Sequence, residues 1–120
     1  MAPAIAAELT VRVTDAAGHP VTDAVVTLRP TGAAAPAPPP GSGFRVEQRN
    51  IKFSPFVLVV PQGSVVAFPN LDTVKHHVYS FSPTKRFELK LFARGEPRSV
   101  TFDRPGIVAV GCTPAASRAA

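Results

Sequence analysis

An all-β sandwich of about eight or nine short strands is the fold this sequence predicts, and three observations predict it. Short segments alternate apolar and polar residues, as in Glu8-Leu-Thr-Val-Arg-Val-Thr14 and Arg86-Phe-Glu-Leu-Lys-Leu-Phe92. Glycine and proline, 8 and 14 of the 120 residues, punctuate the chain between such segments. No stretch sustains the period of an amphipathic helix. The length fits a single domain with one core.

The first alternating segment, Glu8 to Thr14, predicts a half-buried strand with Leu9, Val11 and Val13 facing inward. Asp15-Ala-Ala-Gly-His-Pro20 is a turn, and Val21 to Arg29 reads as the paired strand of a hairpin. His19 sits in that turn, and nothing ties it to the other histidines. Residues 30 to 43, rich in proline, alanine and glycine, cannot hold a ladder and predict a mobile excursion.

Phe44 to Lys52 and Phe56 to Val60 are the next extended pieces, the second so continuously apolar that it predicts a strand buried on both faces. Pro61-Gln-Gly63 turns the chain into Ser64 to Phe68, and Pro69-Asn70 ends that strand. After a histidine-bearing strand, Arg86 to Phe92 presents Phe87, Leu89 and Leu91 to one face. Arg98 to Asp103 repeats the alternation, Pro105-Gly106 turns the chain, and Ile107 to Gly111 delivers Cys112 to a strand end. The tail, residues 113 to 120, has no strand pattern and reads as disordered.

Composition limits the function classes. The chain is 45% apolar and 18% charged, and no apolar run approaches the ~20 residues that span a bilayer. Thirteen Lys and Arg against eight Asp and Glu give a formal charge of +5. Much of the excess lies between Lys75 and Arg104, where a basic face could steer an acidic protein partner. Basic residues interleaved with aromatics on a nucleic-acid module are missing. Residues 1 to 7, with Ala2-Pro-Ala-Ile-Ala-Ala7, resemble the small-residue end of a signal peptide, which predicts a longer exported precursor.

Metal-ligand chemistry concentrates in one stretch, Val65-Val-Ala-Phe-Pro-Asn-Leu-Asp-Thr-Val-Lys-His-His-Val-Tyr-Ser-Phe-Ser82, and in the sole cysteine, Cys112. Neighbouring residues on a strand point to opposite faces, so only one of His76 and His77 can look toward Cys112. A thiolate with imidazole nitrogen suits copper, and a His2Cys set with a weak axial ligand is the electron-transfer arrangement. Asn70, six residues before His76, has an amide that could bridge two loops and hold the histidine. Ser64, Asp72 and Glu88 stand at no recognisable catalytic spacing from a histidine, so no enzyme is predicted.

The run Phe68 to Phe92, with Phe102-Asp-Arg-Pro-Gly106 and Gly111-Cys112, resembles the cupredoxin-like proteins called plastocyanin-like or methylamine utilisation proteins. The resemblance covers residues 44 to 112 and implies a Greek-key β-sandwich spanning residues 8 to 112. It further implies a periplasmic or secreted copper protein that passes electrons to a redox partner. It makes His76 and Cys112 metal ligands, with His77 the alternative and Asn70 a brace behind them. In that family a His three residues and a Met six residues beyond the Cys complete the site, followed by a last strand. This chain has Ala115 and Arg118 there, so an incomplete site, a missing last strand and an open sheet edge prone to self-association are expected, as from a truncated or frameshifted reading. The rival expectation is a β-sandwich binding or adhesion module without metal, supported by an N-terminal hairpin similar to carboxypeptidase-regulatory-like domains.

Overall fold

The computed structural model describes residues 7–32 and 37–114. Its described residues contain strands and turns but no helix. Eight strands follow in order: β1 (Phe44–Arg45), β2 (Glu47–Arg49), β3 (Lys52–Ser54), β4 (Ser64–Ala67), β5 (His76–Ser80), β6 (Phe87–Phe92), β7 (Ser99–Phe102) and β8 (Gly111–Pro114). They form a three-stranded sheet ordered β1-β4-β7, a second ordered β6-β5-β8, and a β2-β3 hairpin. Apart from the parallel β1-β4 pair, all strand pairs are antiparallel.

Val66 and Val100 come from the first sheet, and Val78 and Phe92 from the second; with Phe68, just past β4, they form one buried cluster. Both sheets turn one face to a shared core, consistent with a β-sandwich. Alternation explains the burial along β5, where His76, Val78 and Ser80 point in while His77 and Tyr79 stay half-exposed.

A bulge alters the expected face of β6. Its register against β5 runs regularly from Ser80↔Phe87 to Val78↔Leu89, then jumps so that His76 faces Phe92. The extra residue reverses the parity. Phe87 and Leu89 pack on the core as predicted, but Phe92 rather than Leu91 is the buried side chain beside His76.

Several other expectations are corrected. The turn at residues 15–20 forms, with Val21 N–H donating to Val13 C=O and the Asp15 carboxylate accepting from the N–H groups of Ala17 and His19. The flanking segments do not extend into a ladder beyond the Thr14↔Pro20 bridge, and Leu9, Val11 and Val13 are exposed. An isolated two-stranded hairpin gains little, and among the described residues no third strand covers it. The run Phe56 to Val60 is no central strand either: Phe56 and Val59 are exposed, while Leu58 and Val60 pack against the core. The extended piece from Phe44 is broken at Asn50-Ile51, where two positive φ angles, 53° and 58°, turn β2 back into β3.

The final strand begins later than predicted. Ile107 is exposed and outside any strand, and Thr113 and Pro114, expected in a disordered tail, belong to β8 and pair with His77 and His76. The end of the proline-rich excursion is also anchored, because Gly41 N–H donates to Ser64 Oγ and Gly41 C=O accepts from Val65 N–H. The expectations for residues 1–6, for the rest of the tail and for a missing last strand lie outside the described residues.

Candidate functional site

β5 carries His76 inward at its first position, and β8 runs antiparallel beside it with Val78 opposite Cys112. Two residues along β5 from Val78, on the same face, His76 reaches back to the cysteine: Nδ1 lies 2.8 Å from Cys112 Sγ. The structure therefore brings these two predicted residues together. His77 points to the other face, where Nε2 lies 3.1 Å from Glu88 Oε1 without the alignment of a hydrogen bond. His19 pairs with Asp15 in its own turn.

Gly111 has a packing reason to precede the cysteine. It faces Tyr79 across β5 and β8, and a Cβ at this position would meet the tyrosine ring at 2.7 Å. The ring lies over the bare backbone. Glycine here lets β8 approach β5 closely enough to hold Cys112 beside His76.

Asn70 is buried and braces the loop that leads into β5. Its Nδ2 donates to Val74 C=O at 2.8 Å and Phe92 C=O at 3.0 Å, and its Oδ1 accepts from Asp72 N–H at 2.8 Å. Asn70 touches neither His76 nor Cys112 by hydrogen bond. It acts through Asp72, whose position it sets.

Asp72 is the member that sequence reasoning dismissed. Oδ2 lies 2.7 Å from His76 Nε2 and accepts from Ile51 N–H at 3.0 Å, while Oδ1 accepts from Asn50 N–H at 2.6 Å. Burial pushes this carboxyl's pKa up, but the Ile51 N–H, His76 and the Asn50 N–H together outweigh it and hold the group below its ordinary value. Asp72 thus ties the β2-β3 turn to the histidine. The only advance signal was an acidic residue four positions before His76, and that spacing acquires meaning only once the Pro69–Val74 loop curls back.

An ionised carboxylate only accepts, so His76 Nε2 carries the ring proton and donates it to Asp72. Nδ1 is left with its lone pair toward Cys112, whose S–H donates to it. Burial pushes the thiol up to about 11, the Asp72 carboxylate adds to the rise, and the His77 backbone N–H opposes it. At neutral pH Cys112 is therefore a thiol, a weak nucleophile. A soft cation that displaces the thiol proton would meet a thiolate and an imidazole nitrogen already facing each other.

The pair opens on a cavity of about 600 Å³ lined by Gln48, Ile51, Phe53, Phe56, Val110 and Gly111, with Asp23 and Lys52 also on its wall. Gln48 was not singled out from the sequence, since a neutral amide on a short strand carries no motif. It is 1% exposed, and its Nε2 donates to Val46 C=O at 3.0 Å. Its Oε1 is buried with no hydrogen-bond partner. Such an orphaned acceptor costs about 1–3 kcal/mol.

As a metal site the donor set fits two strong positions, His76 Nδ1 and Cys112 Sγ. Among the described residues no group of three His, Cys, Asp or Glu side chains is arranged to hold a metal ion. Also among them, no helix is long and apolar enough to cross a membrane. Comparison of the chain with protein-family models, curated proteins and solved structures finds no match.

Proposed function

We propose that this chain is a periplasmic or secreted copper-binding electron-transfer protein of the cupredoxin type, with a Greek-key sandwich and a ligand set that is incomplete in the described residues. The observation that carries the reading is the Asp72–His76–Cys112 line, in which a buried imidazole has the carboxylate at Nε2 and the thiol at Nδ1. A carboxylate behind a metal-binding histidine orients the ring and raises its basicity. Bound copper would supply one-electron chemistry between Cu(I) and Cu(II).

The protein's own groups do the rest. His76 and Cys112 would hold the ion, Asp72 keeps the histidine oriented, and Asn70 fixes the loop that bears Asp72. Phe53 and Val110 line the wall of the same cavity. The basic excess between Lys75 and Arg104 would attract an acidic redox partner. β8 is an edge strand among the described residues, so association through it with a second copy belongs to the same proposal. An enzymatic role is not part of this proposal.

The test is titration with Cu(I) in competition with a chromophoric chelator, then with Cu(II) while the visible spectrum is recorded, using the native chain, Cys112→Ser and His76→Ala. One equivalent bound by the native chain, with a thiolate-to-copper charge-transfer band lost in Cys112→Ser and affinity reduced in His76→Ala, supports the reading. Equal binding by all three chains, or no binding by any, refutes it. The second outcome favours the binding or adhesion module without metal.

A further inference from the structure

We propose that the side-chain oxygen of Gln48 is a third, weak donor to the ion that His76 and Cys112 would hold. The inference rests on the copper reading and extends it to a residue outside the histidine and cysteine motifs. Three observations carry it. Gln48 lines the same cavity as His76 and Cys112. It is almost wholly buried. Its Oε1 is enclosed and has no hydrogen-bond partner.

The direction of the amide follows from its other contact. Nε2 donates to Val46 C=O at 3.0 Å, and an oxygen in that place would set two acceptors against each other. Oε1 is therefore the atom left over. The backbone around it is fixed as well: Gln48 N–H donates to Pro69 C=O, and Gln48 C=O accepts from Leu71 N–H. These bonds tie β2 to the loop carrying Asn70 and Asp72, so the amide and the imidazole are set by one framework. Buried acceptors are nearly always paired, and an unpaired amide oxygen on a residue that lines one cavity with an imidazole and a thiol is chemically apt for a metal. A glutamine oxygen is one of the weak axial donors that tune the potential of thiolate copper sites.

The consequence is a preference between oxidation states. An amide oxygen is a harder donor than sulfur, so it favours Cu(II) over Cu(I). Three variants test this: Gln48→Leu removes the oxygen at similar volume, Gln48→Glu keeps one, and Gln48→Met replaces it with a soft thioether. Thermal melts check that each is folded. Cu(I) affinity by chelator competition, the Cu(II) spectrum and the reduction potential are then measured.

Gln48→Leu is expected to lose about tenfold in Cu(II) affinity with Cu(I) affinity unchanged, which raises the one-electron potential by about 59 mV. Gln48→Met should shift the potential in the same direction, and Gln48→Glu, whose anionic oxygen is a harder donor, should lower it. Should Gln48→Leu fail to fold, the Met and Glu variants decide alone. If all variants show the native spectrum and potential, Gln48 is not a donor, its oxygen stays an unpaired buried acceptor, and the copper reading survives without it. If neither the native chain nor any variant takes up copper, that reading falls and this one with it.

Discussion

Replacing Asp72 by Asn tests the element on which the site depends. The carboxylate accepts from two backbone N–H groups at the β2-β3 turn, at 2.6 and 3.0 Å, and from His76 Nε2 at 2.7 Å. Its side chain is only 11% exposed, so solvent replaces these bonds poorly. Hydrogen bonds to a charged group contribute about 1.5–3 kcal/mol each. An asparagine oxygen can keep one acceptor role, but its NH2 must then face a donor. We expect a net loss of about 2 kcal/mol, or roughly 8 °C in Tm for a domain of this size.

The pH dependence of Asp72 supplies an independent check. Its folded pKa lies below the ordinary 3.8, so its contribution is present in full above that value and is lost as pH falls through the folded one. The native chain should therefore lose stability below about pH 4, and Asp72→Asn should lose less there. Urea unfolding at pH 7 and at pH 3 measures both effects. Copper affinity should fall by about tenfold, because the carboxylate no longer fixes the ring. A variant as stable as the native chain at pH 7, with the same acid limb and affinity, would refute the proposed line from turn to histidine to thiol.

Three further outcomes follow from the same geometry. Because Cys112 is raised from 9.0 to about 11, the unfolded chain ionises first, and stability should decline as pH rises through that interval, a slope that Cys112→Ala removes. Gly111→Ala should cost about 1–3 kcal/mol in urea unfolding, because its Cβ meets the Tyr79 ring at 2.7 Å, and adding Tyr79→Ala should recover part of the loss. His77→Ala should change stability by less than about 1 kcal/mol and leave the copper spectrum intact, since its half-exposed pairing with Glu88 lies on the opposite face.

That only one of His76 and His77 could face Cys112 was legible from the two-residue period of a strand, while the choice of His76 came from the resemblance. Asn70 was expected to bridge two loops and hold the histidine; it bonds instead to its own loop and to the Phe92 carbonyl, and reaches His76 only through Asp72. The central run Phe56 to Val60 misled because apolar continuity does not reveal which neighbours are in reach: Leu58 and Val60 reach the core, Phe56 and Val59 do not. The Leu91 error has a sharper cause. One extra residue in β6 reverses the face, and nothing local in Glu88-Leu-Lys-Leu-Phe92 marks it. Asp72 and Gln48 were invisible for a third reason: each gains its role from a contact far along the chain, with Asn50 and Ile51 for the carboxylate and with a cavity wall for the amide.

These unforeseen contacts explain how a short β5 can hold a polar residue where a core apolar side chain would otherwise stand. His76 is fully buried next to Val78 and Phe92, and a buried imidazole without partners would be costly. Asp72 satisfies one nitrogen and Cys112 the other, so no ring nitrogen is left to seek water. Asp72 is itself satisfied at the β2-β3 turn and located by Asn70, which is anchored in turn on Val74 and Phe92. The bulge in β6 sets Phe92 opposite His76, which brings the carbonyl that accepts from Asn70 to the same end of the sheet. Loosening any one link should therefore disturb the histidine before it disturbs the hydrophobic cluster, because Val66, Phe68 and Val100 are packed from the other sheet and its exit.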